Sequence, residues 1–554
     1  ERHQAAAGCS ELTRTGAPAT LLFVTPPALP SELESFFTPC RRGVCKLPAI
    51  RNRILIFAAG VLALLAGPLA HAAASAEQYD LVIRNGRVMN PANGLDSVRD
   101  VGIRDGRIAA LSREPLQGAA EVDAAGLVVA PGFIDLHAHG QREFEAWLQA
   151  QDGVTTQLEM EIGVYPVDAW YARRAGGAPI NYGATASHVA ARIATLVDLP
   201  AFGLTEADLA DGLLGGRAAV LTRERNWVED PATAEQLATI QERLQQGLDQ
   251  GALGLGFGIN YTSGASREEI YRMFRLARAN GVTAFVHSRG MTEDETGGAV
   301  DAVQELLANA AATGASLHIV HIGSSGGRRV PLLLEMIDGA RANGVDVSTE
   351  VYPYTAWSTF IGAALFDGDF TRSMALDYAD IELPATGERL DQARFERLRA
   401  EAPQTIIVGH GMTEDNVTAA VAHPGVMIAS DGMRYEDGRA HPRGAGTFSR
   451  VLGHYVRERG ALGLMEALGK MSYLPAKRLE AAVPQMQRKG RIEVGADADL
   501  VVFDPGTVSD RATFAEPAQP SAGIAHVLVN GVFVVRDGAP QKDRFPGQPV
   551  RRER

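Results

Sequence analysis

Apolar and polar positions alternate along YDLVIRNGRVMNP (79–91) and DVGIRDGRIAAL (100–111), and each stretch carries an Asn-Gly or Asp-Gly pair, which predicts hairpins of a small β-domain. The run AGLVVAPGFIDLHAHG (125–140) then reads as the approach to a first barrel strand. Seven further apolar runs follow: VTTQLEMEIG, GALGLGFGINY, GVTAFVHSRG, LHIVHIGSSG, VDVSTEVYPY, TIIVGHG and GVMIASDG. Between them lie helix-period stretches such as TAEQLATIQERLQQGLD, SREEIYRMFRLARANG and VPLLLEMIDGARANG. Eight strand candidates alternating with helices predict a (β/α)8 barrel of the TIM type. The Glu-rich face in SREEIYRMFR reads as a solvated surface. Near the end, RIEVGADADLVVFDPG and GIAHVLVNGVFVVRDG return to β character and pair with the early hairpins, so one small β-domain is built from both ends.

The start of the chain has a different pattern. Lys46, Arg51 and Arg53 precede ILIFAAGVLALLAGPLA, and the small residues of HAAASA follow, the order of a secretory signal. The apolar run breaks at Gly67-Pro68 and is short for a membrane span, so cleavage between Ala72 and Ala76 is expected, with no stable membrane insertion afterwards. Arg41-Arg42 is a weak match to a twin-arginine route. Residues 1–45 show no usable periodicity and read as an upstream extension. The expected organisation is thus extension 1–45, signal 46–76, β-domain 77–130, barrel 131–485, β-domain again 486–545, and a tail 546–554. The mature protein is expected outside the cytoplasm, periplasmic or secreted.

Composition changes this picture only by exclusion. Of the 554 residues 46% are hydrophobic and 21% charged, an ordinary globular balance. A formal net charge of -13 argues against a nucleic-acid partner, because a phosphate backbone would be repelled. The expected partner is a small molecule. Cys9, Cys40 and Cys45 all precede the apolar segment, so the mature chain has no disulfide, thiolate nucleophile or cysteine metal ligand.

The candidate chemistry lies where strands end. His137 and His139 close the first strand, Glu159 and Glu161 the next, His287 ends AFVH, His321 ends HIVH and Asp431 ends IASD. In a barrel these ends converge at the C-terminal face, where catalytic groups sit. Histidines with carboxylates suit zinc or a similar divalent ion, and residues two apart on a strand point the same way, so His137 and His139 face one ion. Only one of Glu159 and Glu161 need bind metal. His318 and His410 read as packing or hydrogen-bonding residues.

These residues, with APGFIDLHAHG, VHSRG, HIVHIG, YPYTA, SDGM, HPRGAGTFSRVLGHYVRE, MSYLPAKRL, KGRIEVGADADLVVFDP and VLVNGVFVVRDG, resemble the amidohydrolase superfamily, and within it the N-acyl-D-amino-acid deacylase branch. The resemblance spans about residues 79–545. It implies a distorted barrel with a small β-sandwich domain and a hydrolase using one or two Zn2+ ions. By the same resemblance His137 and His139 hold one metal site, His287 and His321 the second, and Asp431 is a ligand and the proton-transfer residue. Tyr261, Ser358 and Arg443 match positions that hold the substrate's carboxylate and scissile carbonyl.

Two departures stand out. The branch usually has a cysteine ligand at the end of the second strand, and TTQLEMEIG offers a carboxylate, with Glu161 favoured over Glu159 because it lies nearest the strand end. A carboxylate can bridge two divalent ions. Two residues after His321 the family often has a carboxylate-binding lysine, and this chain has Gly323; Arg289, Arg328 or Arg329 are the expected substitutes. The function expected is hydrolysis of a linear amide, an N-acyl-D-amino acid or a D-residue-containing dipeptide. The alternatives are a cyclic amidase of the dihydroorotase or hydantoinase kind, which commonly uses a bridging lysine, and a non-catalytic barrel.

Overall fold

The computed structural model describes residues 79–211 and 217–553, so the extension, the signal segment and all three cysteines lie outside the described residues. Eight parallel strands follow one another around the barrel: Phe133–Asp135, Val154–Val164, Asn181–Ser187, Gly254–Gly258, Thr283–His287, Ser316–Ile319, Val347–Val351 and Val426–Ile428. A parallel bridge from Ala138 to Gly432 brings the last strand back to the first. The strands are buried almost throughout, as expected of a parallel sheet covered by helices. Those helices start where the sequence places caps: Thr233 opens Ala234–Asp249 with a capping box to Gln236, and Ser266 opens Arg267–Asn280.

Two assignments change. TIIVGHG is not a barrel strand; Ile406–Gly409 pairs antiparallel with Trp357–Phe360 and Ile381–Leu383 in a separate four-stranded sheet. The third barrel strand is instead NYGATAS, a run of small and polar residues that is not among the strand candidates. They are small because the strand is closely packed: a Cβ on Gly183 would lie 2.8 Å from both Leu253 Cδ1 and the Val550 carbonyl oxygen.

The two ends of the described chain share one nine-stranded sheet, joined where Val128–Pro131 pairs antiparallel with Leu500–Phe503. The expected β-domain from both ends is built on this sheet, and its apolar core brings Leu81, Ile83, Val101 and Val129 from the early strands against Leu500, Val502 and Leu528 from the late ones. An antiparallel backbone bridge between Arg107 and Asp497 returns the far edge of that sheet to the segment leading into Leu500–Phe503.

Residues 546–554 were expected to be only a tail, yet the described part is built into the barrel. Gly547 N–H donates to the Ala178 carbonyl at 2.8 Å and Val550 N–H to that of Tyr182 at 2.7 Å. Val550 is fully buried against the barrel interior with Leu158, Leu253 and Phe285. The Glu-rich helix face is not wholly solvated either. Glu269 is buried and receives Arg192 Nη1 at 2.6 Å and His188 Nε2 at 2.8 Å, since a carboxylate there must be paired to be kept. Among the described residues no helix is long and apolar enough to cross a membrane.

Candidate metal centre

The first strand sets the position of His137 and His139. Asp135 is fully buried, and its Oδ1 accepts the backbone N–H of His137 at 3.1 Å and of Ser430 at 2.9 Å, tying the first strand end to the last. His139 N–H donates to the Gly432 carbonyl at 2.8 Å. The two imidazoles therefore meet Asp431 across the barrel closure. Asp431 and His321 both adopt left-handed backbone, with φ of 52° and 32°, a conformation costly for residues with a Cβ and concentrated at functional sites.

Two sets of donor atoms share one carboxylate. In the first, His137 Nε2 lies 3.1 Å from His139 Nε2, 3.2 Å from Glu161 Oε2 and 3.4 Å from Asp431 Oδ1. His139 Nε2 lies 3.1 Å from Glu161 Oε2 and 3.3 Å from Asp431 Oδ1. Tetrahedral zinc bonds of about 2.0–2.1 Å require donor separations of about 3.3–3.4 Å, so these atoms fit the edges of one such site. In the second set Glu161 Oε1 lies 2.5 Å from His287 Nδ1 and 3.1 Å from His321 Nε2, with 3.1 Å between the two rings' atoms. Glu161 thus turns one oxygen to each set. Glu159 does not stand between them; its Oε2 is 2.8 Å from the far nitrogen of His139.

The electrostatics suit cations. Burial works against charge on Glu161, but His137 and His287 hold its carboxyl well below the usual range. Burial likewise opposes ionisation of Asp431, and Arg443, 3.0 Å away, with His137 outweighs it and keeps the carboxyl low. Both groups therefore present acceptor oxygens.

A ring of supporting partners lies outside these donors. Glu350 Oε1 is 2.6 Å from His137 Nδ1, and its other oxygen is 3.1 Å from His318 Nε2. Against the penalty of burial, His137 and His318 bring the Glu350 carboxyl down to about 2. Sequence reading missed Glu350 and Asp135; the available signal was an acidic side chain inside an otherwise buried strand. His318 packs as expected, bonded also to Ser348, and His410 pairs with Glu382 in the small sheet.

The donors open onto a cavity of about 460 Å³, lined by His139, Glu161, His287, His321 and Asp431 and, above them, mainly by apolar side chains such as Ile162, Trp170, Trp227 and Phe360. Of the predicted substrate contacts, Tyr261 and Ser358 line it. The Tyr261 ring packs edge-on to His287 and its hydroxyl is 3.3 Å from Thr359 Oγ1; the Ser358 hydroxyl donates to the Ile407 carbonyl at 2.8 Å. Arg443 stands behind Asp431, fully buried, with its guanidinium over the Tyr352 ring and its Nε and Nη1 without a hydrogen-bond partner among the described residues. Arg289 does not line the cavity: Glu305 holds it, with both contacts at 3.2 Å. Arg329 Nε is held by Glu293 at 3.4 Å, whereas only the backbone N–H of Arg328 reaches that carboxylate; neither side chain lines the cavity. None of the three arginines named as substitutes for the lysine absent at position 323 lines the cavity, and a Cβ at that position would meet Val351 at 3.0 Å and Met412 at 3.1 Å. The cavity's own arginines, Arg142, Arg174 and Arg434, were not anticipated.

Comparisons with known proteins agree with this geometry. The amidohydrolase family model matches residues 120–535. The chain is 34% identical over 509 residues to N-acyl-D-glutamate deacylase of Alcaligenes xylosoxydans xylosoxydans, covering 86% of this chain and 97% of that one. The structure resembles that of N-acyl-D-glutamate deacylase from Bordetella bronchiseptica, solved with zinc and a phosphonate mimic of the tetrahedral intermediate. The TM-score is 0.71 at 29% identity, over 86% of this chain and 100% of that one. It also resembles a D-aminoacylase described for its binuclear metal centre, with a TM-score of 0.70 at 27% identity over 86% and 100% of the respective chains.

Proposed function

This chain belongs to the amidohydrolase family, and we propose as its function the metal-dependent deacylation of N-acyl-D-amino acids. The observation that carries the reading is the placement of Glu161, one oxygen toward His137 and His139 and the other toward His287 and His321, with Asp431 beside the first pair. His137, His139, Glu161 and Asp431 would hold one Zn2+, and Glu161, His287 and His321 a second. When bound, such an ion supplies a Lewis acid that lowers the pKa of water and polarises an amide carbonyl.

The remaining work falls to the chain. Asp431 takes the proton of the attacking water and delivers it to the leaving nitrogen, serving as base and then as acid. Arg443 keeps that carboxylate ionised between turnovers and orients it. Arg443 is fully buried and does not line the cavity, so its part in the reaction is exerted through Asp431. The Tyr261 hydroxyl, beside His287, donates toward the developing oxyanion. The apolar upper walls receive the rest of the substrate and exclude water.

The test is metal content per mature chain together with turnover of N-acetyl-D- and N-acetyl-L-amino acids, hydantoins and dihydroorotate. Stoichiometric metal with hydrolysis confined to the N-acyl-D series is expected, and chelation should abolish it. Metal uptake with turnover of the cyclic amides alone would move the activity to the cyclic amidases.

We also place the mature enzyme outside the cytoplasm, on the basic, apolar and small-residue order of residues 46–76. N-terminal sequencing of protein recovered from the periplasm or medium should begin between residues 73 and 77; an uncleaved cytoplasmic product would refute export.

A further inference from the structure

Three of the four clustered histidines have an oxygen against the ring nitrogen that faces away from the donor set. His137 has Glu350, His139 has Glu159, and His321 has Ser325 Oγ at 3.0 Å. His287 differs. Its Nδ1 faces Glu161, and its Nε2 lies 3.0 Å from the thioether sulfur of Met291, four residues further on in the loop after the fifth barrel strand. Asn260 Nδ2 donates to the same sulfur at 3.4 Å, and Met291 lines the cavity. A metal-bound imidazole needs its outer N–H satisfied, because that bond fixes which nitrogen keeps the proton and how the ring is aimed. A thioether is a weak acceptor, and here the Asn260 amide N–H and the His287 Nε2 converge on it.

We infer that Met291 is a positioning residue for this centre: its sulfur accepts the Nε2–H of His287, which leaves the Nδ1 lone pair directed at the second donor set. The inference rests on the metal reading of His287, His321 and Glu161. It makes His287 the ligand held by the weakest acceptor of the four, so affinity for the second ion is tuned from position 291.

Two substitutions separate this from a packing role. Met291→Leu keeps the bulk and removes the acceptor; Met291→Gln keeps the length and offers a stronger acceptor in its amide oxygen. Metal-free wild type and both variants would be titrated with Zn2+ against a competing chelator, and the imidazole nitrogens of the zinc-loaded wild type followed by 15N NMR. Loss of supporting bonds at metal-bound histidines costs about 10–100-fold in affinity, and less is expected for a weak acceptor. Leu should therefore weaken binding of the second ion by about three- to tenfold, Gln should bind at least as tightly as wild type, and His287 should carry its proton on Nε2. A purely packing role gives the reverse order, Leu tolerated and Gln disruptive. That order, or a proton on Nδ1 of His287, overturns the inference while leaving the metal site standing. Failure of the wild type to take up Zn2+ would instead remove the metal reading, and the inference with it.

Discussion

Replacing Asp431 by Asn is expected to lower kcat by roughly ten-thousandfold, the upper end of what a positioned acid–base group contributes, with metal content nearly unchanged. The substitution keeps the side chain's shape and an amide oxygen that can still face the first donor set, but removes the negative charge and with it the capacity to take and return a proton. His137, His139 and Glu161 remain 3.1–3.2 Å from one another, so the donor set of the first site persists. Arg443 loses its anionic partner, yet its stacking on Tyr352 is untouched. Steady-state kinetics beside elemental analysis of the same preparation checks this. Turnover near the wild-type rate would take Asp431 out of the proton path.

Replacing Glu161 by Ala should have a different signature, with metal and activity lost together. Glu161 contacts all four clustered histidines, and for His287 and His321 it supplies the carboxylate oxygen of the set. Without it Asp431 is the one carboxylate left in the donor sets formed with the four imidazoles. Losing a supporting group costs about 10–100-fold in metal affinity, so losing a direct ligand should exceed roughly a hundredfold. Bound metal should fall to one ion or none per chain, and kcat/KM should fall with it. Glu159→Gln is the contrast, since Glu159 meets the histidine cluster at the far nitrogen of His139, where an amide oxygen can still accept, and the metal ratio should stay intact. A variant at position 161 that retained two ions would exclude the bridging role.

Much of the centre was legible along the chain because it depends on short-range rules. An apolar run that ends in polar residues marks a strand end, a spacing of two puts His137 and His139 on one side, and alternating strands and helices place such ends together on one barrel face. The carboxylate nearest the end of its strand, Glu161, is the one that meets the histidines, while Glu159 turns behind them.

The misreadings share one cause. NYGATAS is a barrel strand that the apolar runs leave out, because its residues are small, and TIIVGHG is apolar enough for the barrel yet pairs elsewhere; burial on both faces selects for fit, and fit is set by residues far along the chain such as Leu253 and Val550. Arg289 has the charge a substrate carboxylate needs, but Glu305, sixteen residues on, takes it. Glu350 shows no sign in its neighbourhood of the His137 it supports from 213 positions away. Residues 547–550 show nothing locally of the barrel they fill.

By itself, then, the sequence determined the alternation of strands and helices, the donor types at the strand ends, and the absence of cysteine downstream of the apolar segment, because periodicity and residue chemistry are local. Only the tertiary structure decided that Glu161 faces two donor sets, that Arg443 stands behind Asp431, and that a methionine sulfur backs His287. Those are pairings between distant segments, chosen where burial leaves each charge and each N–H only the partner that packing brings within reach.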